Sequence, residues 1–433
     1  MSSRNTSVGW LLVAVAALAF LGLSLLAWQG QLGVVALVLL LVSGGSFFAA
    51  RRQLPRASRQ SIDTAAKALF TLVGIMALLR HRIEIEEGTY LPIYAAIAQY
   101  VQFVDPTTFV LFGLVAMGVK FCGVIASAFG WHLLLIGQGI RYPFWSATMT
   151  AFLIGRFIGT FLPSTIGLDG YTLFEAGRYS NQWPRCVTAK ALEKFIGVTG
   201  LFFCMLVTLP FGYPVIVDVV AHLGRPQAAP LLAAGIAAIA GGVCLAVIVG
   251  LIWPVVLTKS INLFGKILPG GVRVQVEKLA DAVGAYRGQV GLLFGVLSAK
   301  FVTHFTTAAV YYFTALAIGV TAAQFWPITF GSTIQILATV LSPTIAGEGA
   351  REAFQALLLS KQLGGVAQAV LSAALGFIAA EAATMWGGAF LWTRKPGWRP
   401  AFTTVDGKQV DYAWIDDSED VAFDAEKIAA ATH

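Results

Sequence analysis

Uninterrupted apolar runs recur along this chain, and no other feature narrows its fold so far. A hydrocarbon core of roughly 30 Å needs about 20 helical residues to cross it. Runs of that order lie at 10–28, 32–50, 107–137, 186–212, 230–257, 291–319 and 365–392, with a shorter one at 65–79. Lipid offers no water to the backbone, so only helices and closed barrels satisfy their own N–H and C=O groups there. The runs are continuous and do not alternate with polar residues, which excludes a barrel. Composition agrees: the chain is 57% hydrophobic and 12% charged, with mean hydropathy +0.76, outside the range of soluble domains. The expected fold is an all-α, polytopic helical membrane protein with about eight crossings and two further broken elements.

Those broken elements are two related segments. RFIGTFLPSTIGLDGYTLFE (156–175) and LSPTIAGEGAREAF (341–354) align at an offset of 179, which sets Asp169 on Glu348 and Gly170 on Gly349. Phe144-Trp145 precedes the first copy much as Phe325-Trp326 precedes the second. Each copy interrupts apolar sequence with Pro and then with Gly flanking an acidic residue. Pro removes a donor and Gly tolerates turns that other residues resist. In membranes, paired broken helices at matching positions of two halves point to a transporter's binding site.

Loop charge orients the runs. Arg51, Arg52, Arg56 and Arg59 follow the second run and mark a cytoplasmic loop, while Glu84, Glu86 and Glu87 fall on the outside. Residues 94–104 suit the outer interface, and the basic stretch 259–287 suits a cytoplasmic one, as an interfacial helix or a solvated loop. With 365–392 crossing back before Arg394, Lys395 and Arg399, segment 143–184 starts and ends inside and segment 321–364 starts and ends outside. Both termini are then cytoplasmic, and the two copies enter from opposite faces as an inverted repeat. The resulting organisation is an N-terminal helical region (1–106), a core (107–393) and an acidic tail (394–433) with 5 Lys/Arg against 8 Asp/Glu. Run 10–28 reads as an anchor, since no small-residue cleavage site follows it. Cys122, Cys186, Cys204 and Cys244 have no metal spacing and read as small core residues.

A charge near the bilayer centre costs about 2.5–3.5 kcal/mol, so the charges inside these runs must face one another or a wet cavity. Arg156, Asp169, Lys190, Glu193 and Lys194 cluster at the first copy; Glu348, Arg351 and Glu352 belong to the second, with Glu381 further on and Lys120 and Lys300 in mid-run. Lys190 and Lys194 share a helical face, with Glu193 three residues from Lys190. The two copies are expected to line one polar cavity. His132 and His304 read as satisfied core histidines. There is no Gly-rich phosphate loop and no metal-spaced His/Cys set; no cofactor and no nucleic-acid partner are expected.

PSTIGLDG followed by ALEKFIG, and later PTIAGEGAREAF, resemble ordered signatures of one family: the transmembrane, flippase-like region of lysylphosphatidylglycerol synthases, also found as stand-alone membrane proteins. The resemblance runs from about 107 to 392. It implies handling of a lipid with a charged head group, such as aminoacyl-phosphatidylglycerol or a polyprenyl-phosphate-linked sugar. By motif it carries Pro163, Gly167, Asp169, Glu193, Lys194, Gly347, Gly349, Arg351 and Glu352 over as substrate-binding candidates, beside Arg156, Lys190 and Glu348 from the residue pattern. Leu168 stands where the pattern has a second Gly, Lys194 where it has Arg, and Tyr171-Thr172 where an Arg commonly follows. The family's soluble aminoacyl-transfer domain has no counterpart in this chain, so lipid aminoacylation is not expected of it. The expected function is translocation of such a lipid across the cytoplasmic membrane, without catalysis, with membrane lipids and a lipid-modifying enzyme as partners. A membrane-embedded transferase, or an accessory subunit in lipid or envelope biosynthesis, is the alternative.

The topology yields a first prediction. Cysteines introduced at Arg56 and Arg273 should react with an impermeant thiol reagent only from the cytoplasmic side, and those at Glu86 and His222 only from outside. Labelling of position 273 from the outer face would break the inverted arrangement.

Overall fold

The computed structural model describes residues 3–29, 33–86, 88–161, 166–253, 280–342, 344, 347–394 and 398. It is almost wholly helical, as the apolar runs require. Among the described residues, eight helical stretches are long and apolar enough to cross a membrane: Thr6–Trp28, Val34–Gln53, Ser61–Arg80, Pro106–Gly137, Trp183–His222, Pro226–Ile252, Val290–Ala317 and Val366–Thr393. Most of the expected interfacial stretch 259–287, up to residue 279, and most of the acidic tail lie outside the described residues.

The chain forms two compact units. The first comprises Met1–Pro106, Ile318–Val320 and Gln335–Ala374. Its first two helices, α1 (Ser3–Trp28) and α2 (Val34–Gln53), make an antiparallel pair. Gly22 lets Leu39 approach, and the Ser43 hydroxyl donates to the Ala16 carbonyl at 3.0 Å. Helix α3 (Arg56–Arg80) ends with the Arg80 guanidinium over the Trp28 ring at 3.9 Å. The acidic loop expected next is in fact a small hairpin, β1 (Arg82–Glu86) with β2 (Thr89–Pro92). Its first strand alternates Ile with charge, and Gly88, at φ +81, closes the turn while donating to Glu84. Helix α4 (Ile93–Val101) covers the segment placed at an interface.

The second unit comprises Thr107–Ala317, Thr321–Ile334 and Leu375–His433. Helix α5 (Pro106–Gly137) leads through a π-helical turn, Phe144–Met149, into α6 (Thr150–Phe161). Helix α7 (Ile166–Ser180) folds back against α6. The close approach depends on glycine: a Cβ on Gly167 would strike the backbone of Gly159, and one on Gly155 would meet Leu168 at 3.1 Å. At 12 and 15 residues, neither helix could cross a bilayer alone. Asn181, in the left-handed region at φ 52, donates its N–H to the Gly177 carbonyl and stops α7. Trp183-Pro184 then starts α8 (Trp183–His222), with Pro fitting the first turn.

Helix α8 runs 40 residues, well past the end at 212 expected from its apolar run, and carries Pro210 and Pro214 inside it. Antiparallel to much of it runs α9 (Ala229–Ile252), and α10 (Val290–Ala317) packs beside it, with Gly200 held against the Lys300 backbone. The core gathers Trp131, Leu134, Phe152, Leu192, Ile196 and Val296. The second sequence copy also folds as helix, break, helix, in α11 (Phe325–Leu341) and α12 (Ala350–Leu359). The last elements are α13 (Val366–Met385) and the short α14 (Ala389–Thr393).

Overpacking a close contact typically costs about 1–3 kcal/mol. Gly167→Ala should therefore lower the thermal stability of the purified protein. Gly241→Ala, on α9 with nothing within 4 Å, should be neutral or raise it, since Ala favours helix over Gly by up to about 1 kcal/mol. Equal effects from the two would remove the packing role from Gly167.

Candidate functional site

In the second unit, the charges of the first sequence copy close into one network. Lys190 and Glu193 sit one turn apart on α8 and pair at 2.6 Å. Glu193 turns its other oxygen to Lys300 on α10, also at 2.6 Å. All three are buried. Lys190 Nζ further donates to Thr172 Oγ1 at 2.9 Å and lies 3.9 Å from the centre of the Trp131 ring. Lys300 Nζ donates to Ser127 Oγ at 3.1 Å. One carboxylate thus stands between two ammonium groups, each with a hydroxyl and the first with an aromatic face besides. Such shells are what a buried charge needs, because desolvation alone costs several kcal/mol per ion.

Asp169, in the first turn of α7, brings this network to the surface. It pairs with Lys194 at 2.8 Å and reaches Lys190 at 3.7 Å. Lys194 is 55% exposed against 6% for Lys190, so the network grades from solvent-accessible to dry over one helical turn. A carboxylate at a helix N-terminus also meets the positive end of the helix dipole. Beside it a small cleft, with a volume of about 20 Å³, is lined by Trp131, Tyr142, Thr148, Thr172 and Glu175 among others.

Two further ion pairs flank the network. Arg156 on α6 donates to Glu381 on α13 at 3.1 Å, and Thr160 donates to the other Glu381 oxygen at 2.7 Å. Arg156 and Asp169 therefore serve separate networks. Glu175 on α7 accepts two hydrogen bonds from Arg394, both at 3.0 Å, and the guanidinium lies 4.0 Å from the centre of the Trp398 ring. Burial works against the Arg394 charge, but the Glu175 carboxylate outweighs it and raises the guanidinium pKa. His132 bonds Thr148 and His304 bonds the Gly197 carbonyl, as satisfied core histidines do.

The second copy lies in the first unit. Gly347 and Gly349 both take left-handed backbone, at φ +73 and +78, a region open to Gly and strained for other residues. A Cβ on Gly347 would collide with Thr339, and one on Gly349 would meet Ile75 at 3.3 Å. Gly349 donates its N–H to Glu352 at 2.7 Å and so caps α12, while Arg351 donates to the other Glu352 oxygen at 2.7 Å and 3.0 Å. Glu352 is thereby committed to the cap and to Arg351. Glu348 is half-buried and, among the described residues, has no ion-pair partner. Pro163 lies outside the described residues.

Sequence reasoning put Lys300 inside an apolar run but not in the site, and it did not single out Glu175. Each pairs with a residue more than a hundred positions away, beyond any local spacing rule. A usable signal existed for both, since a charge on a buried helix face must find its counter-charge somewhere.

A nearly all-helical chain with eight helices of crossing length among its described residues is a multi-pass membrane protein. Residues 90–387 match the family described as the lysylphosphatidylglycerol synthase TM region, and the chain belongs to that family. No curated protein and no solved structure matches it.

Removing one member of a buried ion pair typically costs about 3–5 kcal/mol, whereas an exposed pair is worth about 1 kcal/mol or less. Glu193→Gln, which leaves Lys190 and Lys300 facing each other, should lower the melting temperature in detergent far more than Lys194→Gln. A comparable drop for both would mean that the network does not depend on Glu193.

Proposed function

We propose that this protein moves a lipid with a charged head group between the leaflets of the cytoplasmic membrane, with both termini on the cytoplasmic side. Charge balance at the first copy is the observation that carries this reading. Lys190, Lys194 and Lys300 face Asp169 and Glu193 in one connected network, which leaves one positive charge for an anion to match. A lipid phosphate supplies that anion. A head group entering hydrocarbon must give up its hydration, the same penalty that makes an unpaired buried charge costly. Lys194 and Asp169, at the accessible end, are placed to exchange their mutual pair for the phosphate and for an amine or sugar hydroxyl of the head. The N-terminus of α7 adds backbone donors where that helix begins. Aminoacyl-phosphatidylglycerol and polyprenyl-phosphate-linked sugars both fit this chemistry, and a lipid-modifying enzyme would be the natural supplier of either.

The test is reconstitution of the full chain in liposomes with fluorescent anionic lipids in one leaflet. Wild type should equilibrate them, Asp169→Asn should slow the exchange at least about tenfold, and Arg351→Ala should slow it as well. Unchanged rates in both variants would remove these residues from the mechanism. A covalently altered lipid accumulating without any leaflet exchange would favour a transferase instead.

A further inference from the structure

Helices α5 and α10 carry the same short pattern. Lys120-Phe121 with Ser127-Ala128 in α5 corresponds to Lys300-Phe301 with Thr307-Ala308 in α10, at an offset of 180, one residue from the offset between the broken segments. The two helices touch through these positions reciprocally. Lys120 Nζ donates to Thr307 Oγ1 at 3.0 Å, and Lys300 Nζ donates to Ser127 Oγ at 3.1 Å. Midway between the two bonds, Thr303 donates to the Gly123 carbonyl at 3.2 Å, and a Cβ on Gly123 would strike Thr306. The helices are therefore antiparallel, and a two-fold axis through the Gly123 crossing exchanges the two bonds. An axis that swaps antiparallel helices runs perpendicular to both, so it lies in the plane of any membrane they cross.

The surroundings of the two lysines differ. Lys300 is closed off by Glu193 at 2.6 Å and is 8% exposed. Lys120 has, among the described residues, one hydrogen bond, to Thr307. The ring of Phe121, next to Lys120, lies 5.6 Å from that of Trp386, just past the α13 helix that carries Glu381, and Glu381 is already held by Arg156 and Thr160. Two basic side chains, Lys120 and Arg156, thus stand against the single carboxylate of Glu381.

We propose that Lys120 and Lys300 are equivalent lysines of two inverted half-sites, and that Lys120 with Arg156 forms a second station for a lipid phosphate. The proposal rests on the translocation reading for its ligand class, but it concerns binding alone. Titration of the full-length protein, held in phosphatidylcholine nanodiscs, with brominated phosphatidylglycerol reads the affinity through tryptophan quenching. Lys120→Gln should weaken binding at least about tenfold, while Lys120→Arg and Thr307→Val, which keep the cation, stay within about twofold. Equal losses in Lys120→Gln and Thr307→Val would mean that Lys120 only latches α5 to α10, and would overturn the proposal. Glu381→Gln gives a check that does not need Lys120→Gln to fold: removing the competing carboxylate should tighten binding at least about threefold, and unchanged or weaker binding would count against the station. Displacement of the lipid by inorganic phosphate at equal concentration would make it a site for free phosphate and overturn the lipid assignment. Phosphatidylglycerol bound through Lys120 by a protein that exchanges no lipid would sink translocation and keep this station; lipid exchanged at full rate by a Lys120→Gln variant of unchanged affinity would do the reverse.

Discussion

The second unit depends on one carboxylate held between two ammonium groups. Glu193 brings Lys190 of its own helix and Lys300 of α10 to the same point, 2.6 Å from each. In an environment of low dielectric each of these charges alone would be prohibitive. Together, with Thr172, Ser127 and Trp131 completing their shells, they specify how α5, α7, α8 and α10 must be arranged. Apolar packing between helices that are apolar on every side is poor at choosing one rotation over another. A hydrogen-bonded ion cluster is good at it, because a rotated helix would leave a charge without a partner.

Glycine makes that arrangement reachable. Gly200 brings α8 against the Lys300 backbone, Gly123 brings α5 against α10, and Gly159 with Gly167 brings α6 against α7. Membrane helices gain little from hiding apolar surface from one another, so close approach through small residues supplies much of their adhesion. The motif glycines thus have a double duty. Gly167 is a contact point as well as a neighbour of Asp169, and Gly347 and Gly349 supply left-handed turns that place Arg351 and Glu352 at the head of α12.

What was legible in the sequence was whatever follows from short spacing. Apolar run length located all eight crossing helices, and the i, i+3 relation of Lys190 and Glu193 anticipated their pair. Pro/Gly punctuation located both breaks. The length of α8 was not legible, because Pro usually ends a helix, yet Pro210 and Pro214 sit inside one; in membranes, neighbouring groups re-satisfy the backbone that Pro frees. The β1–β2 hairpin was hidden by its glutamates, although Ile83 and Ile85 alternate with charge as a strand does. Lys300 with Glu193, Arg156 with Glu381, and Glu175 with Arg394 were out of reach because each pair is assembled only by the tertiary fold.

The Glu175–Arg394 pair closes a loop over just more than half the chain, from the middle of α7 to the residue after α14. Loop-closure entropy grows only logarithmically with length, so two charge-assisted hydrogen bonds and the Trp398 face hold such a clasp at modest cost. Kinematically, the clasp takes away a freedom that a short helical hairpin would otherwise have. Helices α6 and α7 cannot swing as an isolated flap: either the end of the last crossing helix travels with them, or two buried hydrogen bonds to a charged group break first. The α6–α7 hairpin and the final helix therefore behave as a single lever, with its fulcrum at Glu175.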